Sequence, residues 1–157
     1  MMGGEAGRSL TSGYQNTAIG RSALYNDTLG NYTVAVGREA LYSQNLTTST
    51  NTYNTAVGYK AGTSVTTGLN NTFIGGGAGD AITTGDENIA IGRDALSSDD
   101  LGSRSVAVGM NALRNLNYST STNSYNTAVG HNACDDLTTG VQNTFVGGLA
   151  GDSLQDA

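Results

Sequence analysis

The chain has 157 residues, 23 of them Gly, with no Pro or Trp, 13% charged residues and a formal net charge of −6. The seven Lys and Arg are scattered singly, which excludes the basic stripe of a nucleic-acid binder, and no run is long or apolar enough for membrane insertion. The single Cys134 excludes an intrachain disulfide framework, and 37% apolar residues are too few for a thick globular core but enough for a thin one repeated along a rod.

The first stretch, Met1-Met2-Gly3, is the tail of a motif that recurs along the whole chain. Full copies such as Asn54-Thr55-Ala56-Val57-Gly58 end at Gly20, Gly37, Gly58, Gly75, Gly92, Gly109, Gly130 and Gly147. The spacing is 17 residues, except for 21 between Gly37 and Gly58 and between Gly109 and Gly130. Every motif glycine from Gly3 to Gly75 has a partner 72 residues later. A fixed period of this size marks a solenoid or array. The expected organisation is a single repeat domain over residues 1–157, with block one at 3–74 and block two at 75–157. The expected fold is an all-β β-solenoid.

Within a unit, the triplet before the glycine is β-favouring and alternates between two faces. The residue next to the glycine is always Val or Ile: Ile19, Val36, Val57, Ile74, Ile91, Val108, Val129 and Val146. This aliphatic ladder is expected to fill the interior as the structural core. The residue before it forms a small-residue ladder of Ala18, Ala35, Ala56, Phe73, Ala90, Ala107, Ala128 and Phe145, expected on a second dry face such as a trimer axis. The glycine turns the chain, where positive φ or close backbone approach excludes side chains. Three residues later an Ala stands in every unit, from Ala6 to Ala150, and Val65, Ile82 and Leu137 supply an opposite wall. Asn16, Asn54, Asn71, Asn88, Asn126 and Asn143 open the motif and suit an amide ladder satisfied from rung to rung.

The two longer units carry four extra residues within 43–53 and 115–125, rich in Ser, Thr and Asn and expected as paired loops on one side. Tyr42, Tyr53, Tyr118 and Tyr125 lie around these insertions and turns and are the expected receptor-facing residues. His131 and Cys134 share a turn with Asp135 and Asp136, but block one has Tyr59, Gly62, Thr63 and Ser64 there, and one His with one Cys falls short of zinc ligation. Gly75-Gly76-Gly77-Ala78-Gly79-Asp80 lacks the residues of a phosphate loop and the period of calcium-binding repeats, leaving a weak ion site at Asp80 or Asp152 as an open alternative. No catalytic residue, cofactor or metal is expected, and the chain is not read as an enzyme.

The motifs Ser105-Val106-Ala107-Val108-Gly109 and Asn54-Thr55-Ala56-Val57-Gly58 resemble the head repeats of YadA-like trimeric autotransporter adhesins. Asn126-Thr127-Ala128-Val129-Gly130, followed by Ala133 and Thr138-Thr139-Gly140, is similar to repeats of phage tail-fibre proteins. The resemblance covers residues 3–157. It implies a left-handed parallel β-roll assembled as a homotrimer, with a binding or spacer role at a virion or cell surface. The expected function is therefore a structural fibre segment and adhesin or receptor-binding module of a phage tail or virion fibre, binding host-surface glycans or proteins, with a virion or extracellular, cell-surface location. Two rivals stand beside it: an extracellular filament whose subunits stack end to end, and an ice-binding β-solenoid, whose threonine array is interrupted by Val34, Ile89 and Val106.

Overall fold

The computed structural model describes residues 2–153. They form a β-solenoid of about eight turns without a helix, the parallel strands stacked about 17 residues apart. In chain order the strands are β1 (Thr17–Ile19), β2 (Gly30–Asn31), β3 (Val34–Val36), β4 (Thr50–Asn51), β5 (Thr55–Val57) and β6 (Thr72–Ile74). Then come β7 (Ile89–Ile91), β8 (Gly102–Ser103), β9 (Val106–Val108), β10 (Thr122–Asn123), β11 (Thr127–Val129) and β12 (Thr144–Val146). The eight three-residue strands form one parallel sheet, β1-β3-β5-β6-β7-β9-β11-β12. Its register is unbroken: Ala35 opposes Ala56, Ala56 opposes Phe73, and Phe73 opposes Ala90.

The interior inverts the expectation for the strands. Ala18, Ala35, Ala56, Phe73, Ala90, Ala107 and Ala128 are fully buried inside the coil, and Phe145 packs against the same core. The aliphatic ladder lies outside: Ile19, Val57, Ile74 and Val129 are 37–40% exposed, Val146 is exposed, and Val36, Ile91 and Val108 are half-buried. Cross-section decides this. One coil of the solenoid closes on side chains from both walls, and the opposite wall already supplies the invariant Ala and the large residues beside it. Only a small residue fits the strand position between them, since close-packed interiors tolerate little excess volume.

The two exceptions show the same limit. Leu24, Leu41, Leu96 and Leu113 are fully buried just after the invariant Ala. In the two units flanking Phe73's ring that position is Gly62 and Gly79. A Cβ on Gly62 would come within 2.7 Å of the Phe73 ring, and one on Gly79 would strike it outright. Phe145 has the same relation to Gly151, at 2.6 Å. Phenylalanine thus fills space that neighbouring rungs give up as glycine.

The motif glycines all take left-handed φ, between 121° and 145°. At Gly58 a Cβ would collide with the carbonyl of Gly75 in the next rung, so the stacking distance itself demands glycine. Val65, Ile82 and Leu137 do form the opposite wall, 0–5% exposed.

The asparagines stitch rungs together mainly through backbone groups, with a direct amide-to-amide bond from Asn143 Nδ2 to Asn126 Oδ1 at 3.2 Å. Asn54 Oδ1 accepts from the Asn71 N–H at 2.9 Å, and Asn71 Oδ1 accepts from the Asn88 N–H at 2.9 Å. Their Nδ2 groups donate to the turn carbonyls of Gly68 and Gly85 at 2.7 and 2.8 Å. Each buried amide is therefore satisfied at both ends. The insertions are also more ordered than the expected loops: β4 pairs with β2 and β10 with β8, giving two short parallel sheets outside the main one.

Candidate interaction surface

The outward face of the main sheet is built from two columns. One is the aliphatic ladder, and the other is Thr17, Val34, Thr55, Thr72, Ile89, Val106, Thr127 and Thr144. Three-residue strands in unbroken register make this face narrow and regular, and it carries no charged residue. Both columns flank the buried Ala/Phe column, so the alternation that puts small residues inside necessarily puts the branched ones outside. The Ala/Phe ladder expected at a trimer axis is instead sealed inside the chain from Ala18 to Ala128, with Phe145 of the last rung partly buried against the same core.

Tyrosines form a separate set of surfaces. Tyr14, Tyr32 and Tyr53 run up consecutive rungs, with ring centroids 5.5 and 5.4 Å apart, and are 49%, 37% and 55% exposed. Tyr25 and half-buried Tyr42 stack at 5.0 Å, with Arg8 bonded to the Tyr25 hydroxyl. Tyr125 is 51% exposed and receives a hydrogen bond from Arg104 at 3.2 Å, and Arg104 also pairs with Glu87 at 3.0 Å. The Glu87 carboxylate holds the Arg104 pKa above its ordinary value. Tyr53 and Tyr125 thus stand where a receptor could reach them.

Tyr118 does not. It is 4% exposed, and its hydroxyl donates to the Gly140 carbonyl at 2.7 Å and accepts from Asn126 Nδ2 at 3.0 Å. It occupies the place of buried Leu46 in block one, 72 residues earlier. There Asn54 Nδ2 finds its second partner in Gln44 Oε1 at 2.9 Å, while block two has Leu116 at the Gln44 position. The two blocks exchange which neighbour supplies the polar atom, and Tyr118 is needed inside to replace Gln44.

That exchange leaves one group short. In block one the buried Asp27 accepts from the Gly30 N–H at 3.1 Å and from Gln44 Nε2 at 3.0 Å. In block two Asp99 accepts from the Gly102 N–H at 3.0 Å, but Leu116 offers its Oδ2 no side-chain donor. Burial pushes the Asp99 pKa up to about 6, against the lowering effect of backbone N–H groups at Gly102, Tyr118 and Leu101. These carboxylates sit in the core column of Val65 and Ile82, and only comparison of the two blocks position by position would have singled them out.

His131 is exposed and Cys134 fully buried, so they do not form a joint site. Among the described residues no group of three or more His, Cys, Asp or Glu is placed to hold a metal ion. Asp80 and Asp152 lie in equivalent turns of the two blocks, far apart along the rod. Comparison with family models, curated proteins and solved structures finds no match to this chain.

Proposed function

We propose that the chain is a segment of a homotrimeric fibre, a left-handed roll serving structural extension and attachment at a virion or cell surface. One observation carries the reading: the rod completes its own core and still presents an eight-strand, charge-free face of aliphatic and threonine side chains to solvent. Contiguous apolar surface of that kind marks an interaction site, and a face repeated identically along the rod is self-complementary in pitch with another copy of itself. In this reading the interchain packing falls to the aliphatic and β-branched columns. The tyrosines on other corners, Tyr53 and Tyr125 among them, are left to face host glycans or proteins. Three copies present each weak contact three times, which raises avidity without new contacts.

The test is the mass of the species in solution by size exclusion with light scattering over a concentration series. A fixed mass of three chains supports the reading. Mass growing with concentration points instead to end-to-end filaments, and a monomer at every concentration removes the trimer.

A second reading draws on the same regular face, where a Thr-bearing column runs beside the aliphatic one at the strand spacing of about 4.8 Å. Such an array on a monomer suits an ice-binding surface. Thermal hysteresis from a monomeric chain would favour it over the fibre.

A further inference from the structure

The corner that follows each motif glycine carries two side-chain columns, and both lose their side chains in one unit. The first column reads Arg38, Tyr59, Gly76, Arg93 and the second Glu39, Lys60, Gly77, Asp94. The missing side chains leave a slot of about 230 Å³, one rung wide, floored by Gly76 and Gly77. Tyr59 and Lys60 form one wall, Arg93 and Asp94 the other, and Asp80 closes the end. Gly4 and Gly148 occupy the first column elsewhere, but Glu5 and Leu149 follow them in the second, so neither site lacks both side chains.

The walls define what fits. Tyr59 is 52% exposed; Arg38 from the preceding rung and Lys60 lie over its ring at 5.6 Å each, while the following rung contributes no side chain at all. Lys60 and Arg93 face Asp80 and Asp94; Lys60 also lies 3.9 Å from the Glu39 carboxylate of the preceding rung, and Arg93 is paired to Asp94 at 2.9 Å. A cation entering the slot would meet two cations, and an anion two carboxylates. Asp80 Oδ1 is shielded from solvent, whereas Oδ2 lies 3.9 Å from where a Cβ on Gly77 would stand and is the Asp80 oxygen nearest the floor of the slot. Hydroxyl groups meet all these demands, donating to Asp80 and accepting from Lys60 or Arg93. An apolar ring face beside them would cover the tyrosine. The volume lies below that of drug-sized pockets and suits one small ring.

We propose that this slot binds a single neutral hexose unit of a surface saccharide, its hydroxyls held by Asp80, Lys60 and Arg93 and its C–H face laid on Tyr59. The proposal rests on the attachment reading above and names the ligand class and place that reading leaves open.

Saturation-transfer NMR on the full chain tests it, with the methyl glycosides of glucose, galactose and mannose as probes and N-acetylneuraminic acid and glucosamine as charged comparisons. Ring protons of at least one neutral hexose should saturate. Gly76→Arg restores the side chain its column carries in neighbouring units, and a Cβ there meets only the Tyr59 carbonyl at 3.9 Å. It should abolish the transfer with circular dichroism and light-scattering mass unchanged. Tyr59→Ser should weaken binding at least tenfold. No saturation of any neutral hexose, saturation that survives Gly76→Arg, or preference for either charged sugar overturns the proposal. Attachment to intact cells is scored separately. A chain that attaches but binds no neutral hexose overturns the slot and leaves the attachment reading standing, whereas hexose binding without attachment supports the slot and removes that reading.

Discussion

Phe73 illustrates how a single side chain depends on two others far away in sequence. Its ring lies where Gly62 and Gly79 have given up the leucine found in other rungs. Phe73→Ala would leave a cavity that neither glycine can fill and should cost about 3–5 kcal/mol, seen as a fall in the thermal unfolding midpoint. Gly62→Leu in the same chain should recover part of that loss, whereas Gly62→Leu alone should destabilise. The pairing was readable in the sequence, since each unit with Phe in place of Ala, at Phe73 and Phe145, has Gly at the buried leucine position, Gly79 and Gly151. A ranking by transfer free energy points the other way, since Val and Ile exceed Ala as core formers. That ranking fails where the available volume, not hydrophobicity, is limiting. Tyr118 hid for a related reason: its environment is legible only from Leu46, its partner in the other block. Tyr53 and Tyr125, by contrast, are exposed as their position suggested, and serine at both should leave the fold intact while lowering attachment to host cells severalfold in a binding assay.

At the scale of the unit, the stitching between rungs is polar where the repeat is regular and mixed where it is extended. The 17-residue period let the turn glycines and the opposite wall be read directly, but the insertions hold two small sheets whose strands are too short to announce themselves by alternation. Beneath those sheets lie Asp27 and Asp99, which differ by the presence of Gln44 and the absence of its counterpart. Burial raises the Asp99 pKa from 3.8 to about 6, so the folded chain holds a proton that the unfolded chain has released between those values. The stabilisation is full below pH 4 and is lost as pH rises through 6. The shift corresponds to about 3 kcal/mol. The unfolding midpoint should therefore be higher at pH 4.5 than at pH 7. Leu116→Gln supplies Asp99 with the donor that Gln44 gives Asp27 and should flatten this dependence; an unchanged slope would assign it to other groups.

Along the whole rod, each rung contacts only its neighbours, so stability accumulates from unit to unit while the outer face remains free for a second purpose. Burying that face in an interior would make Val57→Asp and Val129→Asp destructive. The observed exposure reverses the expectation, since a carboxylate at either position meets water in the single chain. Both substitutions should then leave the circular dichroism spectrum and the monomer's unfolding midpoint nearly unchanged. In the proposed trimer their effect falls on association: three unpaired carboxylates at each of two levels would be drawn together and desolvated, at a cost of several kcal/mol per buried ion. The proposed trimer predicts that the wild type elutes at the mass of three chains and the double variant, over the same concentration range, at the mass of one. Thr11→Asp, on an exposed turn away from the sheet face, should leave the wild-type mass unaltered. A double variant that still elutes at the wild-type mass would show that the chains meet through some other face, and one that unfolds would show that the aliphatic ladder supports the coil after all.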